Sequence, residues 1–188
     1  MKINLETQIG KIKLKNPVLV ASGTFGHAKE FEKFIDLKKL GGIVTKTITI
    51  KPRLGNPPPR IVETPSGMLN AIGLQNPGVE TFIKEKLPFL SSLKIPLIVS
   101  VMGYSVEEFT GVMRRLEKAG GFDGYELNLS CPNVSYKSGE VQSATEASAD
   151  SSLTSSARMF AHDETKIADV VRATRKVTKK TLIAKLGP

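Results

Sequence analysis

The stretch ELNLSCPNV, residues 126–134, holds the chain's one cysteine, Cys131, with Asn128 and Asn133 on either side of it. Two carboxamides can hydrogen-bond a planar polar ring, and a thiol between them can act as nucleophile or as general base where a neighbouring cation favours the thiolate. A lone cysteine is most often a small buried hydrophobe. Pro132 argues against that role here, because it must end the apolar run and leave the thiol at a rim. Lys46 closes GIVTK and Lys185 closes TLIAK, so each ammonium is carried from an apolar run to a strand end. A single such lysine reads equally well as a cation reaching for solvent, but two at matching positions suggest a site for an anion. Asn70 lies in GMLNAIGLQNPG, where Gly67, Gly73 and Gly78 let the backbone turn and offer N–H groups to a carboxylate. Taken together these groups fit an anionic, planar, amide-rich ligand.

The elements that must position them alternate between short β-branched runs and longer helical patterns. INLETQIG and KIKLKN flank a glycine turn and read as an N-terminal β-hairpin. PVLVASG, GGIVTKTIT, IPLIVSVMG, FDGYELNLSCP and TLIAKLGP read as five buried strands. Helices are expected in AKEFEKFIDLKKL, VETFIKEKLPFLSSLK, SVEEFTGVMRRLEKAG and DETKIADVVRATRKVTKK. Ser105 and Glu108 should form a capping box on the third, and Asp163 should cap the fourth. Two segments stand outside the alternation. One is the Pro/Gly-rich loop from Lys51 to Gly78, too long for a simple connection. The other is a Ser/Ala-rich stretch over about residues 135–158, read as a flexible active-site loop or a tolerated insertion.

This pattern means a parallel sheet built from βαβ units, either an open doubly wound sheet or a (β/α)8 barrel. No G-x-G-x-x-G opens the first helix. Polar or small residues close every strand: Ser22 and Gly23, Lys46 and Thr47, Ser100, Asn128, Lys185. That recurrence is what a barrel requires, since its active site is assembled from the C-terminal ends of several strands.

Composition narrows the remaining classes. With one cysteine there is no internal disulfide, and His27 and His162 stand apart, without metal-ligand spacing or a place beside the thiol. The N-terminus shows no signal-peptide pattern and no run approaches the roughly 20 apolar residues of a membrane span, so a cytoplasmic protein without membrane contact is expected. The net charge of +9 comes from scattered lysines, with no Arg-rich block interleaved with aromatics. It reads as a solvated basic surface, and no nucleic-acid partner is expected.

Four segments, ASGTFG, GGIVTKTIT, GNPPPRIVETPSGMLNAIGLQNPG and ELNLSCPNV, together resemble the class 1 dihydroorotate dehydrogenases, in the family's order and spacing. The NPPPR and SGMLNAIGLQNPG wording is most similar to the NAD-linked 1B catalytic subunit. The resemblance implies a TIM barrel with FMN at its mouth, oxidising dihydroorotate to orotate in pyrimidine biosynthesis. It makes Cys131 the base that removes the C5 proton. It assigns Asn70, Asn128 and Asn133 to the pyrimidine ring, and Lys46 with the backbone around Ile72, Gly73 and Leu74 to its carboxylate. Ser22, Gly23, Lys46, Thr47, Ser100, Asn128 and Lys185 would contact the flavin. The 1B branch further implies an electron-transfer subunit carrying FAD and a 2Fe–2S cluster and serving NAD, in a heterotetramer built on a catalytic homodimer.

Three residue features depart from the family pattern. Ser100 stands where the family usually offers asparagine, the loop after Cys131 is longer and more polar, and Gly187 follows the KL dipeptide. A full barrel takes roughly 250 residues. The expectation is therefore the N-terminal part of a single flavin-binding domain over residues 1–188, a barrel truncated after about five strands. Two other readings remain: a dihydropyrimidine-dehydrogenase-like flavin barrel, whose family also uses N-x-S-C-P, and a non-catalytic remnant serving as an interaction module.

Overall fold

The computed structural model describes residues 3–129 and 163–187. Cys131, Asn133, His162 and the 135–158 loop lie outside the described residues.

Five parallel strands form the centre: β3 (Leu19–Val20), β4 (Gly42–Val44), β7 (Leu97–Val101), β8 (Gly124–Asn128) and β9 (Thr181–Lys185), adjacent in that order. An all-parallel ladder with every neighbour consecutive along the sheet is the arrangement of a TIM barrel, here seen as an arc of five strands. The register places Ser100 beside Glu126 and Asn128 beside Lys185.

Alternation along these strands sorts their side chains. Ile43, Leu97, Val99, Val101, Tyr125 and Leu127 face the helices and join Phe82, Leu90, Phe109, Met113 and Leu116 in the main core. Val44 and Ile98 point the other way, against Ile12 and Leu14. Those two belong to the expected hairpin, β1 (Thr7–Ile9) with β2 (Ile12–Leu14), which fills the N-terminal end of the arc. The plug fits because Gly124 has no side chain: a Cβ there would lie 2.8 Å from Ile12 Cδ1.

Helix α3 (Val106–Ala119) begins where expected, with Ser105 Oγ accepting the Glu108 N–H at 3.3 Å. The return bond of the box shifts by one residue. Glu108 Oε2 accepts from the Tyr104 N–H, not from Ser105, and burial raises the Glu108 pKa. Asp163 caps α4 (Glu164–Val177) as anticipated, accepting the Lys166 N–H. The expected second helix is divided into α1 (Gly78–Thr81), a π turn (Phe82–Lys86) and α2 (Leu87–Ser92). Pro88 explains the division, since it has no N–H to return to the preceding turn.

The first expected helix, AKEFEKFIDLKKL, does not form. Two 3-10 turns, Lys29–Phe31 and Leu37–Lys39, replace it. Gly26 and Ala28 have φ of 51° and 65°, and the Asp36 carboxylate accepts the Lys38 N–H, so local bonds compete with a continuous helical ladder. Phe34, placed at helical spacing, is 80 % exposed.

The Lys51–Gly78 loop carries an unanticipated second hairpin, β5 (Ile61–Thr64) with β6 (Gly67–Asn70), exposed throughout. Its base is stapled where Arg53 and Asn76 exchange backbone hydrogen bonds.

Candidate active site

The C-terminal end of the arc gathers one polar side chain from each strand. Ser22 follows β3, Thr47 follows β4, Ser100 sits in β7, Asn128 ends β8 and Lys185 ends β9. All but Lys185 are buried, and Lys185 is half-buried. They touch one another. Asn128 Nδ2 donates to Thr47 Oγ1 at 3.0 Å, the Thr47 and Ser100 hydroxyls are 3.0 Å apart, and Ser100 Oγ donates to Glu126 Oε1 at 2.8 Å. Lys185 Nζ donates to Ser22 Oγ at 2.9 Å and lies 3.5 Å from Glu126 Oε1. Among the described residues, the buried Asn128 Oδ1 has no hydrogen-bond partner. A buried carbonyl oxygen left this way is costly unless a ligand donates to it.

The Ser100 hydroxyl is thus engaged by both Glu126 and Thr47 within this cluster. Gly23 lies exposed beside Ser22, and a Cβ there would meet nothing within 4 Å. Lys46 is half-buried, its N–H donates to the Gly26 carbonyl at 2.8 Å, and its charge helps depress the pKa of His27. The mouth thus combines cations, a carboxamide oxygen and hydroxyls, groups suited to a polar heterocycle that carries negative charge.

The segment from Asn70 to Leu74 turns sharply. Asn70 ends β6 and is exposed, Ile72 and Leu74 are half-buried, and Gly73 is buried. Gly73 and Leu74 both have positive φ, 73° and 56°. Two side-chain amides hold this shape. Asn56 Nδ2 donates to the Ala71 carbonyl while its N–H donates to the Ile72 carbonyl. Asn76 Nδ2 donates to the Leu74 carbonyl, and Asn76 Oδ1 accepts from the N–H groups of Thr49 and Gly78.

Glu126, Asn56 and Asn76 are missing from the sequence reading. For Glu126 a signal existed: it shares the two-residue period of Asn128 inside an apolar run, so both carboxylate and carboxamide had to face the same side. The two loop asparagines look like any others in a Gly/Pro-rich segment. Among the described residues no group of three or more His, Cys, Asp or Glu is placed to hold a metal ion. No helix among them is long and apolar enough to cross a membrane.

A parallel arc with a polar cluster at its C-terminal end is the layout of a TIM-barrel enzyme. The family model for dihydroorotate dehydrogenase matches residues 4–188, and the chain belongs to that family. It is 46% identical over 188 residues to the dihydroorotate dehydrogenase B (NAD(+)), catalytic subunit, of Trichlorobacter lovleyi, covering 100% of this chain and 56% of that protein. The subunit of the same name from Geotalea daltonii is 46% identical over 187 residues, covering 100% and 55%. That from a Thermoanaerobacter species is 44% identical over 186 residues, covering 99% and 55%. The chain thus spans about half the length of these curated relatives.

Proposed function

We propose that this chain is the N-terminal part of a single-domain flavin barrel that oxidises dihydroorotate to orotate in pyrimidine biosynthesis, in the cytoplasm. The observation that carries the reading is the contribution of one polar side chain by each of the five strands to one connected cluster.

The donor set suits FMN. Ser22, Gly23, Lys46, Thr47, Ser100, Asn128 and Lys185 would line its ring, and Asn128 Oδ1, buried and without a partner among the described residues, offers an acceptor to a ligand N–H. When bound, FMN supplies a hydride acceptor. The Lys185 ammonium at the end of β9 gives the site a positive charge suited to an electron-rich ring. Asn70, Asn128 and Asn133 would orient the pyrimidine. Lys46 and the N–H groups around Ile72, Gly73 and Leu74 would hold its carboxylate, on a backbone that Asn56 and Asn76 already fix. Cys131 would take the C5 proton as the C6 hydride leaves. Two catalytic chains would join two electron-transfer subunits, whose FAD and 2Fe–2S cluster pass electrons to NAD.

The experiment is anaerobic flavin reduction by dihydroorotate, followed in the full-length protein that carries this segment and in its Cys131→Ser variant. The variant should keep bound yellow FMN and lose rapid reduction near neutral pH. Full-rate reduction would remove Cys131 from the mechanism, and absence of FMN binding by the wild type would overturn the reading.

A further inference from the structure

We infer that Glu126 is a positioning residue whose charge sets the direction of a hydrogen-bond chain ending on Asn128, so that Asn128 presents an acceptor to the mouth and reads a ring N–H. The inference rests on the proposed pyrimidine and flavin site only for the ligand; its geometry is the protein's own.

The direction follows from what each group can do. An ionised carboxylate only accepts. Ser100 has one O–H, and at 2.8 Å it donates that proton to Glu126 Oε1. The Ser100 oxygen is then the acceptor in its 3.0 Å contact with Thr47, so Thr47 donates. With its own proton committed, Thr47 accepts the Nδ2–H of Asn128, also at 3.0 Å. An amide whose nitrogen is held by Thr47 turns its oxygen the opposite way, and Asn128 Oδ1 is the buried atom without a partner among the described residues. Lys185 braces the start of the chain, since its ammonium stands 3.5 Å from the same Glu126 oxygen and can only donate. Three hydrogen bonds thus carry the polarity of one carboxylate to the amide that would meet the ligand.

A neutral amide at position 126 removes that polarity. In Glu126→Gln the side chain can donate to Ser100, the hydroxyls can reverse, and Asn128 can turn its NH2 outward. A ligand with an N–H would then face a donor. Ser100→Ala cuts the chain in the middle while leaving the carboxylate in place. Glu126→Asp keeps an acceptor at its head.

Two measurements test this. In 15N spectra of the side-chain amides, one Asn128 Nδ2 proton should exchange slowly in wild type and in Glu126→Asp, and rapidly in Glu126→Gln and Ser100→Ala. On FMN-loaded protein, dissociation constants are measured for orotate, 1-methylorotate and 3-methylorotate. Wild type should bind orotate about tenfold tighter than the analogue that loses the N–H facing Asn128, and the ratio should fall to about one in Glu126→Gln and Ser100→Ala. Glu126→Asp should restore it. An Asn128 amide unchanged by both disruptive variants, or a discrimination ratio that survives them, overturns the inference. If wild type binds neither FMN nor orotate, the proposed function fails instead, and the amide spectra alone decide the relay.

Discussion

Lys185 donates to Ser22 Oγ at 2.9 Å, joining the C-terminal ends of β9 and β3, the two outermost strands of the sheet. In a flat parallel ladder those strands would stand ~19 Å apart, four inter-strand spacings. The bond therefore requires the sheet to curl. Curling turns Ser100, Glu126, Asn128 and Lys185 toward a common axis, so sheet curvature and the polar cluster are one feature. The Lys11 N–H donating to Thr181 Oγ1 at 3.0 Å makes a matching tie at the other end, between the hairpin plug and β9.

Replacing Lys185 by Met should lower stability by about 1–2 kcal/mol, because Glu126 then keeps a carboxylate in a largely buried place without its cation. The double variant Lys185→Met, Glu126→Gln should recover part of that loss. Denaturant unfolding of the two single variants and the double variant measures the coupling directly. Additive effects would show that the pair does not interact.

His27 is 7 % exposed and neither ring nitrogen has a hydrogen-bond partner among the described residues. Burial is the main cause that lowers its pKa to about 4; Glu30 opposes the shift, and Lys86 and Lys46 add to it. The folded protein thus takes up this proton only well below pH 6.5, while the unfolded chain takes it up near pH 6.5. Stability is complete above that value and is lost as pH falls toward 4, by up to about 3 kcal/mol from this group. In urea unfolding at pH 7.5 and 4.5, His27→Phe should lose less between the two pH values than wild type does. Equal losses would show that the imidazole is not the cause.

Gly73→Ala should distort the turn below Asn70, because φ is +73° and the added Cβ would lie 2.7 Å from Asn56. Asn76→Ala removes the acceptor for the Thr49 and Gly78 N–H groups, both in buried surroundings, and should lower stability by about 2–4 kcal/mol. Both variants should weaken orotate binding while leaving FMN affinity within about twofold, since the damage is local to the turn. Calorimetric titration with each ligand separates the two effects.

Much of the arc was legible because its signals are local. Continuous apolar runs identified β4, β7, β8 and β9, and the Ser105 and Asp163 caps fixed two helix starts. The same residues at strand ends supplied five members of the mouth cluster. What escaped the sequence depends on contacts that hydrophobic spacing does not encode. Phe31 and Phe34 have helical spacing, yet Phe31 stacks on Phe25 at 4.1 Å and Phe34 faces solvent, so periodicity there reflects a compact turn. Asn76 bonds Leu74 and Gly78 locally but also reaches Thr49 across the loop, and Glu126 matters because Ser100 and Lys185 converge on it. Ser100 likewise gains its role only from Thr47 and Glu126, which contact it from the two neighbouring strands.

Gly124→Val should unseat the hairpin plug, since even a Cβ at that position would press on Ile12 Cδ1 and stand 3.0 Å from the Thr181 carbonyl. A loss of about 1–3 kcal/mol is expected. Ile12→Ala in the same background should return part of it, as thermal unfolding of the pair would show.

The β5–β6 ribbon stands exposed along its whole length. Its strands bury neither face, and Ile61, Val62, Met68 and Leu69 are each more than half exposed. Two strands alone are marginal in water. Its persistence therefore rests on the base, where the Arg60 guanidinium reaches the Asn56 and Leu54 carbonyls and Gln75 Oε1. Amide hydrogen exchange should thus divide the molecule into two cooperative units, with the ribbon from Ile61 to Asn70 opening far more often than β7 or β8. Asn70 rides on the faster unit, so the proposed pyrimidine contact at Asn70 would be timed by how long Arg60 keeps its grip.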